Sequence, residues 1–349
     1  MLRQNDEATH IEYFFIKLDD AVSIEYDSES PMRINTTQDA YYSACVNCAR
    51  PQCLYYYDDE FECEEFDDFA SRRDDRVCPF DALYWDNDRQ SIVIESDSCV
   101  GCGLCASRCP AGALYFDRGK MRVNLNRNPG SYEVAFSAED ASNRQRDCFD
   151  IIAGLPHRKH SVRKDFNRVD YVYTRLDDLK PNNDIALLFC RNLLIQNGYN
   201  CALSRTGVVS TRMDAIFTGH DFSGAVEIEF QGDSLSVARN LLDDMAMMQA
   251  RNGLAVEHNT PLAICARIPN TRQGFYQVCD DMANVLGKRI RTVSIAALLL
   301  LVWNDVELDL SNDRFCLGFR DTSIREDIEA LLGFNLEGND ESGYLEPIK

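Results

Sequence analysis

The sequence predicts a two-domain protein, in which a small α+β domain rich in cysteine precedes a larger α/β domain. Nine of the 15 cysteines lie between Cys45 and Cys109, whereas the other six are scattered singly. The turn-forming residues Asn128, Pro129 and Gly130 follow the cysteine-rich part. Beyond residue 181, segments with helical and strand periodicity alternate. A length of 349 residues is enough for two domains.

The composition excludes several classes of protein. Hydrophobic residues make up 45% of the chain and charged residues 27%, which excludes a disordered or fibrous protein. The longest apolar run, residues 293–303, is shorter than the ~18–20 residues that span a bilayer. The N-terminus lacks the apolar core of a secretory signal, so we predict a cytoplasmic protein without a membrane span. In that compartment, so many cysteines indicate thiolate metal ligands rather than disulfides.

The region between the two predicted domains differs from the rest of the chain in its balance of charge. Residues 131–180 hold nine basic and nine acidic residues, in a chain whose net charge is −21. We predict a first domain over residues 1–130, a basic linker region over 131–180 and a second domain over 181–349. The basic residues are interpreted either as a solvated linker or as a segment that contacts the phosphates of DNA. They include Arg158, Lys159, Arg163 and Lys164.

One cysteine motif is regular. Residues 99–110 read C-V-G-C-G-L-C-A-S-R-C-P. Cysteines separated by two, two and three residues and followed by proline match the motif of bacterial 4Fe-4S clusters. Three thiolates on one tight loop reach three corners of a single cluster, and Gly101 and Gly103 let the backbone turn there. Because a zinc site would show two separated cysteine pairs, the pattern predicts an iron–sulfur cluster.

An imperfect copy precedes this motif. Residues 43–48 (S-A-C-V-N-C) are similar to residues 97–102 (D-S-C-V-G-C). Residues 78–84 (C-P-F-D-A-L-Y) are similar to residues 109–115 (C-P-A-G-A-L-Y). This duplication, over roughly residues 38–127, resembles the two-cluster bacterial ferredoxins.

The resemblance implies an α+β ferredoxin-type iron–sulfur domain with two 4Fe-4S clusters. A short hairpin is expected after each proline-terminated cysteine, over residues 83–94 and 114–123. In these ferredoxins the last cysteine of each motif binds the other cluster. One cluster would then be held by Cys99, Cys102, Cys105 and Cys78. The other would be held by Cys45, Cys48, Cys109 and one further residue that follows Cys48.

That further residue is where the sequence departs from the ferredoxin pattern. The regular spacing places Asp74 at this position, and the acidic and aromatic residues before it contain Cys53 and Cys63. Cys53 is the first choice because its short spacing from Cys48 keeps it on the same loop. Cys63 is the second choice and Asp74 the third. An oxygen ligand from Asp74 would make that iron labile.

The second domain shows a recognisable order of elements. We predict a helix over residues 184–196, a hairpin with strands over 212–218 and 225–230, and a long amphipathic helix from Asp233. A buried strand over residues 262–268 and a helix over 275–286 follow.

The predicted hairpin carries three carboxylates. Strand alternation sends Glu227 and Glu229 to one face, and symmetric pairing about a turn at residues 219–224 places Asp214 opposite Glu229. Three carboxylates on one face repel each other unless a divalent cation lies among them, and Mg²⁺ or Mn²⁺ there activates water against a phosphodiester. We therefore predict Asp214, Glu227 and Glu229 as metal ligands and catalytic residues.

The helix, the Asp-bearing strand, the Glu-x-Glu strand and the amphipathic helix resemble the PD-(D/E)XK superfamily of restriction-endonuclease-like proteins. Residues 226–230 and 238–242 look closest to certain type II restriction enzymes. The resemblance implies an α/β restriction-endonuclease-like domain over roughly residues 181–305 and DNA as its partner. Glu229 occupies the position of the usual lysine, so an active nuclease, an inactive DNA-binding relative and an unrelated α/β domain all remain open.

Two functions follow from the two domains. The first is a Mg- or Mn-dependent deoxyribonuclease, related to restriction or defence, whose clusters are structural or redox-sensing. The second is an electron-transfer module whose acidic surface docks a redox partner, with a non-catalytic C-terminal binding domain. The three carboxylates distinguish these hypotheses, because electron transfer does not require them.

Overall fold

The structure is a computed structural model that divides into two compact units. It describes residues 23–27, 30–35, 53–54, 76–86, 91–109, 114–117, 120–123, 164–179, 183–205, 211–230, 234–251 and 253–348. Unit 1 comprises Met1–Tyr56 and Arg76–Val162, and unit 2 comprises Tyr57–Asp75 and Arg163–Lys349. None of the helices in these described stretches is long and apolar enough to cross a membrane.

The described residues of unit 1 form three antiparallel hairpins and one short helix. The helix α1 covers Leu104–Arg108. The hairpins are β1 (Ser23–Asp27) with β2 (Ser30–Asn35), β3 (Leu83–Asp86) with β4 (Ser91–Ile94), and β5 (Leu114–Asp117) with β6 (Lys120–Val123). The second and third hairpins pair Leu83 with Ile94 and Leu114 with Val123, which are the ends that the duplicated sequence predicts.

The two duplicated hairpins share one hydrophobic core. Leu83 and Ile92 from one hairpin and Leu114 and Met121 from the other are buried together. Five cysteines belong to this core or pack against it, so the fold gathers the thiols around the contact between the two repeats. They are Cys53, Cys78, Cys99, Cys105 and Cys109.

Unit 2 is a mixed sheet with helices before, between and after its strands. Its helices are α2 (Asn167–Leu179), α3 (Asn183–Gln196), α4 (Ser234–Ala250), α5 (Phe275–Leu286), α6 (Ile295–Trp303) and α7 (Arg325–Leu332). Its strands are β7 (Asn200–Leu203), β8 (Ala215–Gly219), β9 (Phe222–Glu229), β10 (Leu262–Cys265) and β11 (Arg291–Ser294).

The sheet of unit 2 has the order β11-β10-β9-β8-β7. Strands β7, β8 and β9 form an antiparallel meander, and β10 and β11 run parallel to β9. Every residue of α6 is buried, which makes this helix part of the core. Gly224 of β9 lies so close to Thr260 that a Cβ there would be 2.1 Å from the Thr260 carbonyl oxygen. The glycine therefore permits the close approach of the chain that leads into β10.

Three features of unit 2 differ from the sequence-based expectations. The strand β7 was not predicted, although it pairs with β8. The hairpin turn is only His220 and Asp221, both with positive φ, and is therefore tighter than a turn over residues 219–224. Residues 164–179, which we assigned to the linker region, include α2, whose Val169 and Val172 are fully buried. Arg158, Lys159 and Arg163 lie outside the described residues.

Candidate metal centres

Five cysteines of unit 1 lie close enough to influence each other's charge. Burial raises the pKa of the Cys105 thiol well above its usual value, and the neighbouring Cys102, Cys78, Cys99 and Cys109 raise it further. Burial likewise raises the pKa of Cys78, with a contribution from Cys99. The structure thus brings Cys78 close to the cysteines of the regular motif, although it lies 21 positions before Cys99 in the sequence.

The backbone around these thiols is shaped by two glycines. Gly101 and Gly103 have φ angles of +61° and +88°, a region that side chains rarely adopt. The Gly101 amide donates to Cys99 Sγ over 3.3 Å. An amide aimed at sulfur stabilises negative charge on it, as a thiolate that binds iron requires.

The residues proposed for the other cluster are described only in part. Cys53 and Cys109 contact the same hydrophobic core, and Cys53 is 5% exposed. The Val77 amide donates to the Leu54 carbonyl over 2.9 Å, which ties the segment of Cys53 to that of Cys78. The other predicted ligands and alternatives lie outside the described residues: Cys45, Cys48, Cys63 and Asp74.

The thiol arrangement fits an iron–sulfur cluster chemically. Buried thiolates that repel one another need a compensating positive charge, and the irons of a 4Fe-4S cluster supply it. Within the described residues, the cysteines of unit 1 included, no three Cys, His, Asp or Glu side chains are spaced as they would be around a bound metal ion.

In unit 2, the register of the hairpin places Asp214 beside Glu227 rather than opposite Glu229. Ala215 pairs with Val226, which shifts the predicted pairing by two residues because the turn is shorter than predicted. The Ile228 amide donates to Asp214 Oδ2 over 2.8 Å, which fixes this carboxylate next to β9. The prediction that Asp214 faces Glu229 is therefore wrong in register, although both glutamates remain on the same side of β9.

Glu229 is the last residue of β9, and after desolvation its charge contributes to the raised pKa of Asp214. It lines a cavity of about 380 Å³ with Asp177, Ser234 and Arg267. Glu227, by contrast, is only 6% exposed. Glu227 is therefore buried, whereas Glu229 is only half-buried.

Two residues at this site, both on α4, were not predicted from the sequence. Asn240 Nδ2 donates to Glu227 Oε2 over 3.0 Å. Asp244 is 1% exposed and lies within hydrogen-bonding reach of Glu227. Asp244 could have been found from the helical periodicity, because it falls on the buried stripe formed by Val237, Leu241 and Met248. An acidic residue at a core position of an amphipathic helix indicates a buried polar site.

Burial makes the three carboxylates unusually weak acids. Desolvation, followed by the charge of Asp214, raises the pKa of Glu227 to about 8. Desolvation and the charges of Asp214 and Asp243 raise the pKa of Asp244 to about 7, while a hydrogen bond with Glu227 opposes the rise. Desolvation also raises the pKa of Asp214 to about 6. These carboxylates therefore favour a proton or a cation near neutral pH.

Comparison with known proteins gives matches over parts of the chain. A family model described as a 4Fe-4S dicluster domain matches residues 75–113. The chain is 26% identical to a selenate reductase subunit of Mesobacillus selenatarsenatis over 113 residues, which are 32% of this chain and 31% of that protein. It is 36% identical to an archaeal-type glutamate synthase (NADPH) of Dehalococcoides mccartyi over 61 residues, which are 17% of this chain and 12% of that protein. No solved structure gives a significant match.

The family model covers the region in which the structure gathers the thiols. The chain spans less than a third of the length of both relatives. The matched residues 75–113 contain Cys78, Cys99, Cys102, Cys105 and Cys109. The chain therefore carries a 4Fe-4S dicluster ferredoxin domain over residues 75–113, and parts of the chain are similar to a selenate reductase subunit and to a glutamate synthase.

Proposed function

We propose that this chain transfers electrons to or from a redox enzyme, with its ferredoxin domain as the electron-carrying part. The observation that carries the proposal is the dicluster match at the residues where the structure gathers the thiols. Each bound 4Fe-4S cluster accepts and releases one electron. Two clusters in one domain suit the passage of electrons through the chain.

In this proposal Cys99, Cys102, Cys105 and Cys78 hold one cluster, and Cys45, Cys48, Cys53 and Cys109 hold the other. The protein's own contribution is to bury the ligands and to orient the backbone. Cys105 is 7% exposed and packs in the core that both hairpins share, so water is excluded on that side. The Gly101 amide stabilises the negative sulfur of Cys99. Burial and hydrogen bonds of this kind tune the potential of a cluster.

The partner in this proposal is a protein component of a redox enzyme. A net charge of −21 favours a partner with a positive docking face, because charge complementarity speeds the encounter of transient redox partners. One of the matched relatives is named as a subunit of a reductase, which supports a role within an enzyme complex.

Anaerobic redox titration of the purified full chain tests the proposal. The visible absorbance of the clusters should bleach on reduction with dithionite and return on reoxidation. The reduced protein should then reduce a soluble electron acceptor in stoichiometric amounts. Clusters that neither bleach nor pass electrons would show that they are structural. The Cys201→Ala variant is the matched control, because Cys201 is buried in β7 of unit 2.

A second candidate is favoured by the element order of unit 2. The resemblance to restriction-endonuclease-like proteins rests on a helix, a strand preceded by an Asp, a Glu-x-Glu strand and an amphipathic helix. These are α3, β8, β9 and α4, with the additional strand β7 between α3 and β8. In this candidate Asp214, Glu227 and Glu229 hold Mg²⁺ or Mn²⁺ and hydrolyse DNA. Neither matched relative is named as a nuclease, so the candidate depends on this geometry.

Plasmid nicking tests the second candidate. Full-length protein should nick supercoiled DNA in the presence of Mn²⁺ or Mg²⁺, and Asp214→Asn should remove the activity without removing the fold. The matched control is Asp221→Asn in the exposed hairpin turn. Protein that binds divalent cations but leaves plasmid intact with both metals would eliminate the nuclease and leave a binding domain.

A further inference from the structure

The cavity of about 380 Å³ in unit 2 lies at the carboxyl ends of the parallel strands β9 and β10. Glu229 is the last residue of β9, and residues 266–270 of the lining follow β10. Ser234, the first residue of α4, lies at the same edge of the sheet. In α/β sheets this edge is where ligands bind, and the volume is in the range of small-molecule pockets. The position and the size of the cavity therefore suit a small ligand.

Hydrogen bonds hold the walls of this cavity in place. The Ala266 amide donates to the Glu229 carbonyl oxygen over 2.7 Å, which joins the ends of the two strands. The Tyr173 hydroxyl donates to the Ala266 carbonyl oxygen, and the Tyr276 hydroxyl donates to the Pro269 carbonyl oxygen over 2.6 Å. A ligand that enters a cavity with fixed walls loses little affinity to the ordering of the protein.

One part of the lining is apolar and includes two aromatic rings. Methylene groups pack favourably against such a wall, and aromatic faces attract cations. The side chains are those of Tyr173, Leu176, Phe230, Ile268, Pro269 and Ile348.

The charged side chains that line the cavity, among the described residues, are two carboxylates and one guanidinium. They are Asp177, Glu229 and Arg267. The Arg267 guanidinium lies 5.1 Å from the centre of the Tyr173 ring and 5.2 Å from that of Tyr344, and its Nη1 donates to the Ser342 carbonyl oxygen. These contacts fix the guanidinium, which carries further N–H donors that can bind a carboxylate. The complementary ligand has two positive groups and one negative group.

We propose that this cavity binds an α-amino acid with a cationic side chain, such as lysine or arginine. Arg267 holds the carboxylate of the ligand, Asp177 and Glu229 hold its two positive groups, and the apolar wall packs against its methylene groups. A dicarboxylate would be repelled by the two acids, and a diamine would leave Arg267 without an anion. The inference goes beyond both candidate functions, and it gives Glu229 a different role from the one in the second candidate.

Isothermal titration calorimetry of the full, cluster-containing chain tests the inference. L-lysine or L-arginine should bind at one site with a dissociation constant below about 1 mM. Cadaverine lacks the carboxylate of lysine, and L-norleucine lacks its side-chain ammonium. Each of these two probes should bind at least about tenfold more weakly than the better of the two amino acids, because one charged group of the site then has no partner.

Three substitutions locate the binding to this cavity. Glu229→Gln and Asp177→Asn each remove one negative charge with little change of shape, and each should weaken the binding of the amino acid at least about fivefold. Arg267→Lys should weaken the amino acid and leave cadaverine within about threefold, so the preference for the carboxylate should fall. The matched control is Asp281→Asn, an exposed acid of α5 outside the cavity, which should leave the affinity within about twofold.

Each other outcome overturns the assignment. If neither amino acid binds below about 1 mM, or if cadaverine binds as tightly as L-lysine, the cavity does not recognise an amino acid. If Glu229→Gln and Asp177→Asn both bind as wild type does, the ligand lies elsewhere and the inference is wrong. Circular dichroism reports whether each variant folds, and the exposed Asp177 keeps the test available should Glu229→Gln not fold. Electron transfer and plasmid nicking are measured separately, so their failure does not decide this result.

Discussion

The thiols of unit 1 and the carboxylates of unit 2 are both groups of acidic side chains whose negative charges repel one another. The two groups are assembled from the chain in different ways. Both are groups of acids packed against a hydrophobic core, and in both burial raises the pKa of enclosed members such as Cys105 and Glu227. The thiols come from a short motif and one distant cysteine, whereas the carboxylates come from the start of β8, from β9 and from α4. Local sequence therefore specifies the first site and tertiary packing specifies the second.

This difference determines how each site should respond to substitution. A contiguous loop keeps three thiolates close even when one partner is lost, but a cluster needs its full set of ligands. The carboxylates meet only because the register of the hairpin and the packing of α4 are both correct. A change of register or helix position should therefore disperse the carboxylates while leaving the thiols untouched.

The largest expected effect is the loss of iron on substitution of Cys78, which lies far in the sequence from the other cysteines of its proposed cluster. Cys78→Ala should remove one of two 4Fe-4S clusters, because Cys78 lies with the three cysteines of the regular motif. Anaerobic iron and sulfide analysis should fall from about eight of each per chain to about four. The buried Cys201→Ala variant should keep the wild-type content.

A wild-type content near four irons would contradict the two-cluster prediction itself. If wild type holds eight and Cys78→Ala also holds eight, Cys78 is not a ligand and the crossed ligation is refuted.

The second effect tests the packing that assembles the carboxylates. Gly224→Ala should destabilise unit 2 by about 2–4 kcal/mol, because the new Cβ would lie 2.1 Å from the Thr260 carbonyl oxygen and the backbone must move. Chemical denaturation followed by circular dichroism measures the change. Gly274→Ala is the matched control, since its Cβ would meet the Leu235 side chain at 3.4 Å, an ordinary contact. Equal stability of the two variants would show that β9 and Thr260 are not so close.

The same contrast explains what the sequence could predict. The ferredoxin cysteines and the ends of both hairpins followed from a duplicated motif, since each repeat contains its own turn and pairing pattern. Helices α3 and α5 followed from periodicity within one or two residues. Asp244 could not be paired with Glu227 in advance, because no local rule reports which strand residue a helix position contacts. The register of β8 on β9 was predicted wrongly, because Gly219 and Gly224 indicated a longer turn than the two residues, His220 and Asp221, that form it.

The third effect is a pH dependence of stability that only the carboxylate site should show. The pKa values of Glu227 and Asp244 are raised to about 8 and about 7, so the folded state holds protons that the unfolded state releases. The stabilisation is present in full below the ordinary carboxyl range and is lost as the pH rises through these values. Without added divalent cation, the free energy of unfolding should fall by on the order of 1–3 kcal/mol between about pH 5 and pH 9.

Glu227→Gln removes the titrating group and keeps the shape of the side chain. This variant should flatten the pH dependence, with iron content measured in parallel to show that the clusters remain. A slope that is the same in the variant and in wild type would assign the dependence to other groups.

The smallest effect compares two neighbouring residues of one helix. Asp243 is 73% exposed and pairs with the 76% exposed Arg212, whereas the next residue, Asp244, is buried. An exposed ion pair contributes little, because water and salt screen it, so Asp243→Asn should change the stability by less than about 0.5 kcal/mol. Asp244→Asn should instead raise the stability at pH 8 without divalent cation, since it removes a charge that burial disfavours. Thermal unfolding of both variants at pH 5 and pH 8 measures the difference. If Asp243→Asn has the larger effect at pH 8, α4 is rotated relative to β9 and the carboxylates do not meet.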